Sequence, residues 1–355
     1  MSERYGHDRR VGLGKRITSS NLFWPLVALL ALFVANTIAS PNFLKITWLD
    51  GHLFGSLINL MRSSAPLMLV ALGMTLVIAT RGIDLSVGAV LAISGAVALS
   101  YIAGAPDPAS PATVAVAVLI ALALSAVLGL LNGLLVAVLG IQPIIATLIL
   151  MTAGRGIAML ITGGLITTVN SAPYKWLGSG WLLGLPVAGW IAVVVFVVLL
   201  LLTRRGALGM LIEAVGINPD AARIAGVWSR LIIWMVYVLS GLFAGMAGIL
   251  SSADVMAADA NNAGMMIEMD AILAVVIGGT ALSGGKFSLS GTFVGVLVIS
   301  TLTLTVTMLG ISPLVTPLFK AIIVLIVMLL QSPRARTTFE AWSRRTAFRK
   351  KEAVA

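Results

Sequence analysis

Long apolar runs separated by short polar breaks fill the chain from residue 22 to residue 331. A helix needs roughly 20 mainly apolar residues to cross the hydrocarbon of a bilayer. Because lipid cannot satisfy backbone N–H and C=O groups, each such run predicts a helix, which satisfies them within itself. The runs lie at 22–39, 65–80, 85–103, 112–139, 143–162 and 187–203, then at 231–250, 271–282, 289–309 and 314–331. The segment 271–282 is too short to cross alone and predicts a short or broken helix unless flanking residues join it. The expected fold class is all-α, a polytopic membrane protein of about ten transmembrane helices including broken or short ones. A transmembrane domain at 22–331, with a polar loop at 204–230, is expected between basic tails at 1–21 and 332–355.

Composition adds what pattern leaves open. Apolar residues make up 59% of the 355 and charged residues only 10%, against roughly 25% charged in a soluble domain, so a soluble fold is excluded. The net charge of +10 could suggest nucleic acid, but sixteen of the 23 lysines and arginines fall in three clusters beside apolar runs: five in 4–16, four in 204–230 and seven in 334–351. Basic residues that flank spans stay in the cytoplasm, so the charge reports topology and no nucleic-acid partner is expected. Six spans before the middle cluster and four after it are both even numbers, which places both termini and the 204–230 loop inside. Asp107, Asp254, Asp259, Glu268 and Asp270 then fall outside, and Arg81 and Lys286 at inside turns. The first run follows a basic tail and ends in Ala39 and Ser40, as a signal peptide does. Its apolar core is longer than the roughly 7–15 residues of such a segment, and its removal would break the even count, so it is read as an uncleaved span. The chain has no cysteine and only two histidines, His7 and His52, so neither a disulfide nor a metal centre is expected.

Glycines recur within the runs. Gly129 with Gly133 and Gly241 with Gly245 have the four-residue spacing that lets helix backbones approach closely in lipid. Residues 77–88 and 276–291 share a faint echo, Val77-Ile78 and Leu85-Ser86-Val87-Gly88 against Val276-Ile277 and Leu289-Ser290-Gly291. Transport proteins often contain duplicated halves.

Ionisable groups beside or inside spans need a partner, a wet cavity or an interface. Arg155 lies twelve residues into its run, about 18 Å along a helix. It reads either as facing an aqueous pathway or as reaching outward to the surface or an external acid, and Lys320 has the same two readings. Asp84, in Arg81-Gly82-Ile83-Asp84-Leu85-Ser86, suits a cap on the helix that follows. Asn132, Gln142, Thr147 and Asn261 are polar neutral groups that can line a translocation pathway for a hydroxyl-rich substrate or bond neighbouring helices. The segment 280–287 has Gly285-Lys286 but Thr280 and Phe287 where a phosphate-binding loop needs glycine and a hydroxyl, so any ATP must bind a separate subunit. No cluster of nucleophile, base or metal ligands points to an enzyme. An ion-coupled secondary carrier, the alternative, needs a buried titrating acid, whereas the acids fall mostly at loop edges.

In the 204–230 loop, Asn218-Pro219 resembles a helix cap with proline in the first turn, and Asp220 favours that end electrostatically. A short helix from Pro219 to about Ala225, stopped by Gly226, would present small side chains to a docking partner or lie on the membrane surface.

At this loop and at Gly73-Met74-Thr75-Leu76-Val77-Ile78-Ala79-Thr80-Arg81-Gly82-Ile83-Asp84-Leu85-Ser86-Val87-Gly88, the sequence resembles the ribose, xylose and galactoside permeases of bacterial ATP-binding-cassette importers. The resemblance runs from about 22 to 331. Gln142-Pro143, Ala146-Thr147-Leu148-Ile149-Leu150-Met151, Gly154-Arg155-Gly156 and Asp259-Ala260-Asn261-Asn262-Ala263-Gly264 are similar to the galactofuranose members. The resemblance implies a permease subunit of the inner membrane that moves a monosaccharide, galactofuranose or a related sugar, into the cytoplasm. It also implies a homodimer with a second permease copy, a cytosolic ATPase that binds ATP and Mg2+, and a periplasmic sugar-binding protein. The ATPase-coupling residues carried over are Glu213, Gly216, Asn218, Ala221, Ala222 and Gly226. Pathway candidates are Asn132, Gln142, Thr147, Arg155 and Asn261. Other importer classes have a contiguous Glu-Ala-Ala in their coupling loop; here Val215 follows Glu213-Ala214.

Overall fold

The computed structural model describes residues 22–331; the two basic tails and both termini lie outside the described residues. Each of the ten expected runs falls on a helix. They are α1 (Phe23–Ala39), α2 (Ser56–Ala79), α3 (Val87–Gly104), α4 (Pro111–Ala137), α5 (Pro143–Thr162), α7 (Val187–Arg204), α10 (Ser229–Val255), α11 (Ile267–Ile277), α12 (Leu289–Met308) and α13 (Thr316–Gln331). Between them lie α6 (Ala172–Ser179), α8 (Leu208–Ile217) and α9 (Pro219–Ile224). Seven of these helices, α2, α3, α4, α5, α7, α10 and α12, are long and apolar enough to cross a membrane. At 11 residues, α11 rises only about 16 Å, half the roughly 30 Å hydrocarbon thickness.

Burial separates centre from periphery. The apolar windows of α2 and α3 are 78% and 72% buried, those of α5 and α7 only 22% and 28%. Outward apolar side chains are what lipid requires, so α5 and α7 belong to the rim and α2, α3 and α10 to the core. Small residues set the spacing there. A Cβ on Gly241 of α10 would lie 2.9 Å from the Cα of Gly129 on α4, so the two backbones touch, as the glycine spacing predicts.

α2 begins nine residues earlier than the pattern suggested and carries Arg62 and Pro66 inside it. Arg62 meets Asp254 at 3.7 Å near the end of α10. Arginine and serine are tolerated in a helix interior, so the helix runs beyond the edge of the apolar stretch.

The two ends of the bundle differ. At one end, short antiparallel pairs join the loops: β1 (Thr47–Leu49) with β2 (His52–Phe54), β3 (Thr167–Thr168) with β6 (Ala257–Ala258), and β4 (Trp181–Leu182) with β5 (Leu185–Pro186). The Leu53 amide donates to the Gly184 carbonyl at 3.0 Å, and His52 stacks on Trp181 with centroids 4.1 Å apart. At the opposite end, α8 meets the turn between α2 and α3 and the loop between α11 and α12, and α9 packs against α8 and α10. The two echoing segments are both helix-to-helix joints, and they touch: the Gly285 amide donates to the Ala79 carbonyl at 2.9 Å, and just beyond them the Thr75 and Thr292 hydroxyls of α2 and α12 lie 2.7 Å apart.

Candidate functional site

Polar chemistry concentrates in two places, one at each end. At the α8 end, the chain after α2 turns through Arg81, whose φ of 65° is left-handed, a conformation uncommon for a residue with a Cβ. The Arg81 guanidinium donates to the carbonyl of Ile217, the last residue of α8. Gly216 is pressed against the Ala79 carbonyl so closely that a Cβ there would overlap it. α8 is therefore seated directly on the end of the most buried helix.

The same turn buries Asp84. Its Oδ1 accepts from the Ser86 amide at 3.1 Å and the Ser86 hydroxyl at 2.6 Å; its Oδ2 accepts from the Ser240 hydroxyl of α10 at 2.8 Å. The expected cap on α3 is not what forms, because Ser86 holds the N-cap position and Asp84 closes a local turn two residues before it while reaching across to α10. The Asn132 amide of α4 donates to the Ser86 hydroxyl at 2.8 Å, and the Thr147 hydroxyl of α5 donates to the Ile83 carbonyl at 3.1 Å. One buried turn thus collects α4, α5 and α10. Two atoms beside it, the Tyr237 hydroxyl and Asn132 Oδ1, have no hydrogen-bond partner among the described residues. Gln142, also at this end, is exposed and occupies the N-cap of α5, with no side-chain cap bond.

The coupling candidates divide by exposure. Asn218 caps α9 as its sequence suggests, its Oδ1 accepting from the amides of Asp220 at 3.1 Å and Ala221 at 3.0 Å. α9 ends at Ile224, and Gly226 follows at φ 88° with open space around it. Ala221 is exposed, but Ala222 is 6% exposed and faces the core. Glu213 lines a 340 Å³ pocket with Thr203, Arg204, Met210, Phe287 and Ser288. Large apolar side chains stand out at this end: Met210 at 69%, Ile217 at 59% and Ile224 at 87% exposed.

At the hairpin end, Arg155 Nη1 on α5 donates to the carbonyls of Ala260, at 3.3 Å, and Ala263. Both belong to the loop between α10 and α11, which also carries the exposed Asn261. Asp259 organises that loop: it accepts from the Asn262 side-chain amide at 2.7 Å and from the amides of Asn261 at 3.0 Å and Asn262 at 3.3 Å. The Asn262 bond is the main cause holding the Asp259 carboxyl below its usual range. Under the loop lies a 260 Å³ cavity between α3 and α10, lined among others by Ser251, Ser252, Asp259 and Asn262. Glu268, in the first turn of α11, is buried at 8% exposed, and its Oε2 has no hydrogen-bond partner among the described residues. Further along α11, Asp270 pairs with Lys320 of α13 at 2.6 Å, which gives that lysine an acid partner.

The five pathway candidates therefore fall into two groups, Asn132, Gln142 and Thr147 at the α8 end and Arg155 with Asn261 at the hairpin end. Sequence reasoning missed Ser240, Ser251 and Asn262, and it left Glu268 among the exposed loop acids. Serines within the small-residue stripe of α10 were the available signal.

The family described as "Branched-chain amino acid transport system / permease component" matches residues 56–331. The galactofuranose transporter permease protein YtfT of Escherichia coli K12 is 50% identical over 317 residues, 88% of this chain and 91% of that one. The fructose import permease protein FruF of Bifidobacterium longum is 42% identical, covering 94% of both chains. The ribose import permease protein RbsC of E. coli K12 is 38% identical over 87% of this chain and 93% of its own. No solved structure matches the chain. A helical bundle with seven membrane-length helices is the fold a permease needs, and the match runs from the first residue of α2 to the last of α13: the chain belongs to the family of transport-system permease components.

Proposed function

We propose that this chain is the membrane-spanning permease subunit of an ATP-driven importer that brings a monosaccharide, galactofuranose or a related sugar, into the cytoplasm. The sugar rests on the names of the relatives, which are permeases for galactofuranose, fructose and ribose. The observation that carries the mechanism is the seating of α8 on α2 through Gly216 and Arg81. A partner that pushes on α8 and α9 acts directly on the joint where Asp84 ties α10 to the turn.

The orientation we propose is read from charge. Among the described residues, Arg81, Arg204, Arg205, Arg223, Arg230 and Lys286 lie at the α8 end with the acids Asp84, Glu213 and Asp220, whereas the hairpin end has Lys45, Arg62, Arg155, Lys175 and Lys320 against the acids Asp50, Asp107, Asp254, Asp259, Glu268 and Asp270, so the α8 end carries the basic excess. Lys and Arg favour the cytoplasmic side, so α8 and α9 face the cytosol, where an ATPase subunit carrying ATP and Mg2+ would dock. The hairpin end then faces the periplasm and a sugar-binding protein. The cavity under the 256–266 loop, with its amide, hydroxyls and carboxylate, suits sugar hydroxyls, and Arg155 would steady that loop. A second permease copy completes the assembly.

An ion-coupled carrier is the second reading, and the unpartnered Oε2 of buried Glu268 is the observation in its favour. Reconstitution in liposomes decides. Uptake of labelled galactofuranose, ribose or fructose should require the ATPase, ATP and the binding protein together. Uptake driven by a proton or sodium gradient with no ATPase present would reject the importer reading.

A further inference from the structure

A groove of 540 Å³ on the flank of α9 and α10 shares Gly226 with the coupling candidates but opens away from the seat of α8 on α2, toward α4. Its lining includes Val138, Arg223, Trp228, Arg230, Leu231 and Trp234. The Trp234 indole N–H donates to the Leu130 carbonyl of α4 at 3.0 Å, which fixes that ring as a wall. Trp228, at the N-cap of α10, is 77% exposed. Arg223 and Arg230 are exposed, and neither has a carboxylate at ion-pair distance among the described residues.

The groove is graded from charged to apolar. Arg223 lies on α9, outside the membrane-length helices; Arg230 lies in the first turn of α10, between Trp228 at its N-cap and Trp234 one turn further in, and Val138 continues into an exposed aliphatic face of α4 formed by Val127, Leu131 and Leu134. That sequence of chemistries matches a phospholipid read from phosphate to acyl chain. Tryptophan favours the headgroup level, a guanidinium fork matches phosphate oxygens, and basic pockets beside spans attract anionic lipid. A free phosphate would use the arginines but not the aliphatic floor. A soluble protein would have to reach below the level of the indoles to use it.

We propose that this groove holds one anionic phospholipid, with its phosphate on Arg223 and Arg230, its glycerol region between Trp228 and Trp234, and its acyl chains along α4. Such a site needs only the membrane fold and is independent of which sugar is carried.

The test is native mass spectrometry of the full chain released from mixed phosphatidylglycerol and phosphatidylcholine. The unmodified chain should retain phosphatidylglycerol in preference, and Arg223→Gln with Arg230→Gln should retain one fewer per chain with phosphatidylcholine unchanged. Equal retention of phosphatidylglycerol would overturn the site. Inorganic phosphate at millimolar concentration should not displace the lipid; displacement would make the groove a free-anion site instead. If ATPase capture falls in the double variant while lipid retention holds, the groove is a protein surface and the proposal is wrong. A second measurement avoids the arginines altogether: in nanodiscs, brominated phosphatidylglycerol should quench the unmodified chain more than Trp228→Phe, beyond the difference seen with brominated phosphatidylcholine. An identical difference with both lipids would equally overturn it.

Discussion

Arg81 of the turn after α2 donates to the carbonyl of Ile217 at the end of α8, a contact across 136 residues of chain. Its backbone is left-handed, so the side chain is held at the α8 face by a conformation most residues avoid. Glycine adopts that conformation freely. Arg81→Gly should therefore keep the turn and delete the contact. Losing one such hydrogen bond, worth about 1.5 kcal/mol with a charged donor, should lower sugar uptake roughly tenfold if it transmits force, with membrane abundance preserved. Uptake at the unmodified rate, measured in liposomes with the ATPase, would remove Arg81 from the coupling path.

Alanine should cost more at Gly216 than at Gly226, for different reasons. At Gly216 a Cβ overlaps the Ala79 carbonyl, which is backbone and cannot rotate aside. Overpacking of this kind costs about 1–3 kcal/mol, so Gly216→Ala should lower the unfolding temperature in detergent and reduce membrane abundance. At Gly226 the surrounding space is open and only the φ of 88° opposes a side chain; the penalty is about 1 kcal/mol with no packing defect. Paired thermal unfolding curves check the order.

Topology can be tested at residues the fold leaves accessible. Val215 is 1% exposed and would react poorly from either side, whereas Ile224 is 87% exposed and Asn261 is exposed in the hairpin-end loop. In this cysteine-free chain, Asn261→Cys should react with an impermeant maleimide in intact spheroplasts. Ile224→Cys should react only after lysis. The reverse pattern would invert the orientation.

Much of the fold was legible because bilayer thickness sets helix length, and the ten apolar runs each became a helix. Boundaries were less legible, because a helix need not stop where its apolar run does. α2 continues past the apolar stretch because arginine is tolerated in a helix interior, and the eighth run, expected short, is shifted to Ile267–Ile277, with Glu268 and Asp270 favouring its first turn and Gly279 at φ 85° just past its end. The site was half legible. Asn218 declared its cap through Asn-Pro, a local signal. The reach of Asp84 to Ser240 spans 156 residues, and no local spacing encodes it. Exposure was invisible too: Ala221 and Ala222 read alike, and the helix turns one outward and the other into the core.

Arg155 offers a separate test at the hairpin end. Its guanidinium holds two carbonyls of the loop that covers the 260 Å³ cavity. Arg155→Leu keeps an apolar side chain on α5, so insertion should be unaffected, while the loop loses two charge-assisted bonds of about 1.5 kcal/mol or more each. A cysteine at position 261 should then react several-fold faster with maleimide, and uptake should fall. Unchanged labelling together with unchanged uptake would return Arg155 to a surface-reaching role.

The docking role of α9 can be tested at two adjacent alanines with opposite surroundings. Ala221 is exposed beside Ile217 and Ile224, which stand 59% and 87% exposed on a polar end of the molecule; Ala222 is packed in the core. Tryptophan at 222 would overpack that core by about 1–3 kcal/mol and damage the permease whether or not a partner exists, so its failure would say nothing of docking. Ala221 is exposed, so tryptophan at 221 extends from the surface and not into the core. If α9 docks on an ATPase, Ala221→Trp should leave the unfolding temperature within about 1 °C of the unmodified chain, as surface substitutions do, yet weaken ATPase capture and uptake together. If α9 instead lies along the membrane surface, the interface welcomes the indole and both activities persist. Pull-down of the ATPase at equal membrane abundance separates the two outcomes, and full capture by Ala221→Trp would remove α9 from the docking surface.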